Sequence, residues 1–127
     1  MLVQLSELVG GSAEVIGPEA TLRDAARAMV QSGVGSLGVV DKHQLVGILT
    51  ERDLMQAVSE GADPAAEQAG SWMSESPDVF SPEVDVEEAA QWLLETGYRH
   101  MPVIDKDGEL LGIVSIRDLL WALVEGE

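Results

Sequence analysis

The 127-residue sequence contains no cysteine, so a disulfide framework and thiolate chemistry are excluded. Its two histidines, without cysteine and without carboxylates at Ca²⁺-loop spacing, form no metal-ligand pattern, and no metal is expected. Aromatic residues make up 4% of the chain. The core must therefore be built from Ala, Val, Leu and Ile. Cations are also scarce: Lys plus Arg is 7 against 23 Asp plus Glu, a formal net charge of −16. Binding to a nucleic-acid backbone or an anionic membrane needs a basic face that releases counterions, so neither DNA or RNA nor membrane is an expected partner. A small anion held by a few local cations remains compatible with this charge. No apolar run approaches the ~18 residues of a bilayer span. The segment Met1-Leu2-Val3-Gln4-Leu5 lacks the basic and apolar regions of a secretory leader, and a soluble, cytoplasmic protein is expected. There is no P-loop, no nucleophile elbow and no repeated acid–base pair; the chain is not expected to be an enzyme.

What is present is an internal repeat. Apolar residues form 46% of the chain, which favours a folded core over disorder. With a displacement of 64 residues, Val15-Ile16-Gly17-Pro18-Glu19 falls on Val79-Phe80-Ser81-Pro82-Glu83, Ala25-Ala26 on Ala89-Ala90, and Gly33 on Gly97. Val39-Val40-Asp41-Lys42 falls on Val103-Ile104-Asp105-Lys106. One extra residue enters at Asp107-Gly108, after which Leu45-Val46-Gly47-Ile48 falls on Leu110-Leu111-Gly112-Ile113 and Arg52-Asp53-Leu54 on Arg117-Asp118-Leu119. About a third of the aligned positions are identical. The chain is a tandem duplication, expected to divide into residues 1–64 and 65–127.

Each repeat reads as strand, helix, two strands, helix. A short strand at Val15-Ile16, and at Val79-Phe80, is ended by a proline. Apolar residues at helical spacing predict helices over Leu22 to Ser32 and Val86 to Thr96, with Gly33 and Gly97 as C-caps. Strands are expected over Leu37 to Val40 and Leu45 to Leu49, joined by Asp41-Lys42-His43-Gln44. Their counterparts run His100 to Ile104 and Leu110 to Val114, with Asp107-Gly108 as a hairpin signal. Closing helices are expected over Glu51 to Glu60 and Ile116 to Val124, and a further short helix over about Ala65 to Met73. About 60 residues bury little surface alone. Two units packed through their sheets would share a core, which fits strands that are apolar on both faces.

The sharpest duplicated feature is Gly47-Ile48-Leu49-Thr50-Glu51-Arg52-Asp53 with Gly112-Ile113-Val114-Ser115-Ile116-Arg117-Asp118. Thr50 with Asp53, and Ser115 with Asp118, have the spacing of helix capping boxes. Thr21-Leu22-Arg23-Asp24 has it too, so capping alone explains the hydroxyl and the carboxylate. It does not explain the arginine, since a cation in the first helical turn opposes the helix dipole. A bound anion at the helix N-terminus would account for it. The carboxylate can accept two hydrogen bonds from a vicinal diol. Hydroxyl, cation and carboxylate at one helix start thus suit a ribose-phosphate.

With these residues the whole chain, from about residue 5 to 124, resembles a CBS domain pair, or Bateman module. The family signature is Gly, two apolar residues, Thr or Ser, a variable residue, often Arg, then Asp. Gly97-Tyr98-Arg99-His100-Met101-Pro102-Val103-Ile104-Asp105 is also similar to the family's second-strand pattern. The resemblance implies an α+β fold of two β-α-β-β-α motifs packed sheet to sheet with pseudo-twofold symmetry. It implies two clefts that take an adenosine-containing ligand: AMP, ADP, ATP, S-adenosylmethionine or a dinucleotide. Carried over by position, one site would use Ile48, Thr50, Arg52 and Asp53. The other would use Ile113, Ser115, Arg117 and Asp118, with the aspartates on the ribose hydroxyls and Thr or Ser near the phosphate. Apolar side chains and backbone of the second and third strands, including Met101 and Pro102, would hold the base, and Arg99 and His100 would meet phosphate. The first repeat departs from this pattern, reading Gly35-Ser36-Leu37-Gly38 where the second has Arg99-His100-Met101-Pro102. Unequal sites are therefore expected.

The remaining residues read more plainly. His43 falls in a hairpin loop and is expected in solvent. Trp72, Trp92 and Trp121 are expected in the core or a dimer interface, and Met55 and Met73 in packing. The apolar residues Leu119, Leu120, Trp121, Leu123 and Val124 exceed one helical face, which points to a homodimer. The resulting expectation is a non-catalytic regulatory module with an adenine nucleotide as regulatory ligand, no required cofactor, and a separate effector protein as its target. The alternative is a ligand-free dimerisation or partner-binding scaffold, favoured by the missing basic pair of the first repeat and by the negative charge.

Overall fold

The computed structural model describes residues 3–9 and 13–125; Met1 and Leu2 of the amino-terminal segment read above lie outside the described residues. Two compact units emerge, and they do not coincide with the linear halves of the repeat. The first unit is Ala13–Pro77; the second joins Met1–Ser12 to Asp78–Glu127. The segment before each repeat's first strand thus belongs to the unit of the other repeat.

In the first unit, β1 (Val15–Ile16) leads to α1 (Leu22–Ser32), β2 (Ser36–Asp41), β3 (Gln44–Thr50), α2 (Glu51–Ser59), α3 (Ala69–Trp72) and β4 (Ser74–Glu75). The sheet order is β1-β2-β3-β4, with β1 parallel to β2 and the other pairs antiparallel. The second unit contains a 3-10 turn (Leu5–Glu7), α4 (Val86–Thr96), the antiparallel pair β5 (His100–Ile104) and β6 (Leu110–Ser115), and α5 (Ile116–Glu125). The helices over 22–32 and 86–96 and the strands over 100–104 and 110–115 lie where periodicity predicts them. Gly33 and Gly97 end their helices with φ of 68° and 82°, the left-handed conformation that glycine adopts without a Cβ penalty. Lys42 and His43 form the two-residue turn between β2 and β3 with φ of 51° and 69°. This is the primed geometry that fits the strand twist.

Three differences from the sequence expectation have physical causes. The strand expected at Val79-Phe80 contracts to a single parallel bridge between Phe80 and Val103. In the first unit the Gly38 amide donates to the Glu14 carbonyl at 3.0 Å. Pro102 stands at the equivalent position and has no N–H to donate. The helix expected over Ala65 to Met73 is confined to Ala69–Trp72, because Gln68 is extended and bridges Thr21, while the Glu67 carbonyl accepts from the Leu22 amide at 3.0 Å. The residues just after it form β4, which the sequence reading did not contain; Glu75 pairs with Gly47 and Ser74 with Ile48.

The same segment has its repeat-related counterpart. Ala69 N–H donates to Ala20 and Gly70 N–H to Pro18, each at 2.8 Å. Under the 64-residue displacement these become Leu5 N–H to Val84 and Ser6 N–H to Pro82, each at 2.9 Å. Each unit buries its own apolar cluster: Leu22, Ala25, Leu37, Val39, Leu49 and Ala69 in the first, and Leu5, Ala89, Leu93, Met101, Val103 and Leu119 in the second. A buried residue of the incoming segment, Ala69 or Leu5, belongs to each cluster. Trp72 and Met73 pack against the first cluster.

These crossings explain the motif glycines. A Cβ built on Gly47 would stand 2.9 Å from the Ser74 carbonyl oxygen and collide with the Met73 side chain. One on Gly112 would stand 2.7 Å from Val9 Cγ1 and 3.0 Å from Val9 Cβ. Gly47→Ala and Gly112→Ala are therefore expected to destabilise the protein by about 1–3 kcal/mol each through overpacking, read as a lowered urea midpoint. Pairing Gly112→Ala with Val9→Ala is expected to recover part of that loss.

Candidate functional site

Each duplicated motif runs from a sheet into a helix, and the helix start is locked by reciprocal hydrogen bonds. In the first unit the Thr50 amide donates to Asp53 Oδ2 at 2.8 Å and the Asp53 amide donates to Thr50 Oγ1 at 3.3 Å. In the second, the Ser115 amide donates to Asp118 Oδ2 at 2.9 Å and the Asp118 amide donates to Ser115 Oγ at 3.0 Å. Both are complete capping boxes. Thr21 caps α1 by accepting from the Asp24 amide at 3.1 Å. The box accounts for the hydroxyl and for one carboxylate oxygen of each pair. Only Oδ2 of each aspartate is engaged, and Oδ1 of Asp53 and of Asp118 meets no donor among the described residues.

The first-turn amides are used unequally. The Glu51 amide donates to the Gly35 carbonyl and the Ile116 amide to the Arg99 carbonyl, each at 2.9 Å. The Asp53 and Asp118 amides are capped. Between them, the Arg52 and Arg117 amides meet no acceptor among the described residues. Both arginine side chains are exposed and make no hydrogen bond or ion pair among the described residues. An exposed arginine in the first turn of each motif helix gives the motif the elements of an anion cradle: an N–H, the positive dipole end and a guanidinium.

Sheet pairing gathers the rest of the sequence-predicted set. His100 lies opposite Ser115, Met101 opposite Val114 and Pro102 opposite Ile113. The Arg99 carbonyl anchors the first amide of α5. Arg99, His100, Ser115, Arg117 and Asp118 therefore converge on one strand-to-helix junction. In the first unit Ser36 lies opposite Thr50 and Gly38 opposite Ile48, with Gly35 taking the role of Arg99. That junction has Arg52 as its one cation among these positions. Ile48 is buried and Ile113 half-buried. Met101 lies in the second unit's core, and the Pro102 carbonyl accepts from the Phe80 amide at 2.9 Å; these two hold β5 in place.

The junctions also differ in a way the sequence does not reveal. The Thr50 hydroxyl donates to Asp53 Oδ2 at 3.0 Å, so its proton is committed. The Ser115 hydroxyl makes no such donation among the described residues. Asp53 is half-buried and Asp118 exposed. Elsewhere, His43 is exposed as expected, and Met55, expected in packing, is 70% exposed because it lies on the outer face of α2. Among the described residues no group of His, Asp and Glu could hold a metal, and no helix is long and apolar enough to cross a membrane.

Two repeats, each closing on a capped Gly-apolar-apolar-Thr/Ser-x-Arg-Asp junction, define a tandem module. The CBS domain profile matches residues 7–60 and again 69–125, and the chain belongs to the CBS domain family as a tandem pair with an α+β fold. An uncharacterised 17.7 kDa protein of Acidianus ambivalens is 35% identical over 98% of this chain and 76% of its own length. The structure of a CBS domain protein from Pyrobaculum aerophilum complexed with AMP is 27% identical with a TM-score of 0.84, covering 96% of this chain and 98% of that one. Arabidopsis thaliana CBSX2 in complex with AMP is 28% identical with a TM-score of 0.79, covering 96% of each chain. Some curated relatives are longer, and the chain spans 53% of Arabidopsis CBSX3.

The capping geometry has a measurable consequence. Thr50→Ala removes a cap and a hydroxyl bond to Asp53, whereas Ser115→Ala removes a cap alone. Losses of about 2 and about 1 kcal/mol are expected, measured by chemical denaturation, with Thr50→Ser close to wild type.

Proposed function

We propose that the protein is a non-catalytic regulatory module that binds an adenosine-containing ligand, AMP first among them, at its motif junctions. The observation that carries this reading is that each junction combines a carboxylate oxygen, an exposed arginine and a first-turn helix amide that have no hydrogen-bond partner among the described residues. The carboxylate suits the vicinal hydroxyls of ribose and the cation suits its phosphate. Two relatives of more than 25% identity form AMP complexes, which supports the same class of ligand here. A monophosphate also suits a chain of net charge −16, since each added phosphate raises the repulsion from surrounding carboxylates.

Binding is strongest at the second-repeat junction, where Arg99 and His100 join Ser115, Arg117 and Asp118. The first-repeat junction, with Ile48, Thr50, Arg52 and Asp53, is the weaker site. In this reading the module self-associates through its exposed helix faces, works in the cytoplasm and passes its output to a separate effector protein. Ligand shifts that output only by preferring one of two states.

Calorimetry with AMP is the direct test. One tight site per chain is expected, with ADP and ATP weaker. Arg117→Ala and Arg99→Ala are each expected to weaken AMP by about tenfold or more, as for loss of a charge-assisted hydrogen bond, with thermal stability unchanged because both side chains are exposed. Arg52→Ala is expected to leave the tight site intact. No heat and no thermal shift with AMP, ADP, ATP or S-adenosylmethionine at millimolar levels would favour the ligand-free scaffold instead.

A further inference from the structure

The two junctions share one backbone bond and differ in the charge placed beside it. The Glu51 amide donates to the Gly35 carbonyl and the Ile116 amide to the Arg99 carbonyl, each at 2.9 Å. Gly35 with Glu51 thus corresponds to Arg99 with Ile116. In the first unit the Glu51 side chain lies against Gly35: a Cβ built on that glycine would stand 3.3 Å from Glu51 Cδ and Oε1 and 3.4 Å from Oε2. A carboxylate therefore occupies the space where a side chain at position 35 would begin. At the matching position the second unit carries the guanidinium side chain of Arg99.

The charge balance of the junctions is reversed by this exchange. The second gathers Arg99 and Arg117 with the single carboxylate of Asp118. The first gathers the carboxylates of Glu51 and Asp53 with the single guanidinium of Arg52. Lys42 and His43 stand at the far end of the β2–β3 hairpin and offset neither carboxylate. The Glu51 side chain is exposed and makes no hydrogen bond or ion pair among the described residues. Beside it, Ser36 is paired with Thr50, is 5% exposed, and its hydroxyl has no hydrogen-bond partner among the described residues. The second unit has His100 at that place.

We propose that the first junction discriminates against phosphate and takes an adenosine-type ligand whose 5′ substituent carries a cationic group, with Glu51 as the residue that sets this preference. The assignment deepens the proposed function and rests on it. Asp53 keeps an oxygen for the ribose hydroxyls, and the Glu51 carboxylate accepts a charge-assisted hydrogen bond from an ammonium. A phosphate at the same place meets two carboxylates against one arginine, a repulsion that rejects the wrong ligand. Arg52 keeps a place for an anionic group only where a cation on the same ligand offsets Glu51. One duplicated motif then reads two different charge states of a nucleoside. A glutamate in the first helical turn also suits the helix dipole, but that role bears on stability and not on the ratio of two ligands' affinities.

Calorimetry on the full chain carrying Arg99→Ala and Arg117→Ala, which disables the second junction, isolates the first. At low salt, 5′-amino-5′-deoxyadenosine is expected to bind this variant about tenfold or more tighter than AMP, with adenosine between the two. The amine is expected to shift the amide resonances of Arg52 and Asp53. Adding Glu51→Gln is expected to abolish the preference and Glu51→Arg to reverse it, whereas a Glu51 that serves the helix alone would change thermal stability and leave the ratio of affinities unmoved. AMP binding as tightly as the amine, no binding of either, shifts confined to the second unit, or a preference that survives Glu51→Gln would each overturn this assignment and leave AMP binding by the wild-type chain intact. A wild-type chain that binds none of the three compounds would overturn the proposed function together with it.

Discussion

The backbone exchange between the repeats is the constraint on which most of the structure depends. Residues 3–6 hydrogen-bond to residues 82–86, and residues 67–70 hydrogen-bond to residues 18–22, with the same donors and acceptors at a 64-residue displacement. Each unit therefore completes itself with a segment that its own half of the sequence does not contain. The requirement for glycine at positions 47 and 112 follows, since Met73 and Val9 cross directly over them. The short β4 follows as well, as does the division into units that cut across the linear repeat. Placing Leu5 or Ala69 in a unit's core ties each crossing to that unit's apolar burial.

The functional junction is built on that scaffold by economical means. One Thr/Ser–Asp pair fixes the helix start and still leaves an unengaged carboxylate oxygen among the described residues. The arginine between them contributes nothing to the cap and stands against the helix dipole. Its retention in both repeats makes sense when an anion is present. The two junctions then diverge through small changes: the Thr50 hydroxyl donates to the Asp53 carboxylate, whereas the Ser115 hydroxyl accepts from the Asp118 amide without donating to its carboxylate among the described residues, and Gly35-Ser36 stands against Arg99-His100.

Much of this was legible in the sequence. The helices over 22–32 and 86–96, their glycine caps, the hairpin strands and the capping boxes all follow from local chemistry, because each is decided within a turn or two of chain. The family resemblance implied Arg99 and His100 as phosphate contacts without assigning them to either junction, and their convergence with Ser115, Arg117 and Asp118 was not read from the sequence. Strand register delivers it, since His100 lies opposite Ser115. What local reading missed was non-local. The strand at Val79-Phe80 shrank because Pro102, more than 20 residues away, lacks a donor. Met55 was expected to pack and instead faces outward, since periodicity says which residues share a face but not which of two apolar faces is covered.

The sequence by itself determined the duplication, the element types, the acidic character of the surface and the chemical identity of each junction. These depend on residue spacing and on side chains within hydrogen-bond reach of their own helix start. Tertiary structure decided which segment completes which unit, why the motif glycines cannot carry a side chain, and which hydroxyl remains available. These depend on where distant backbone passes, and on which donors and acceptors it has already satisfied on arrival.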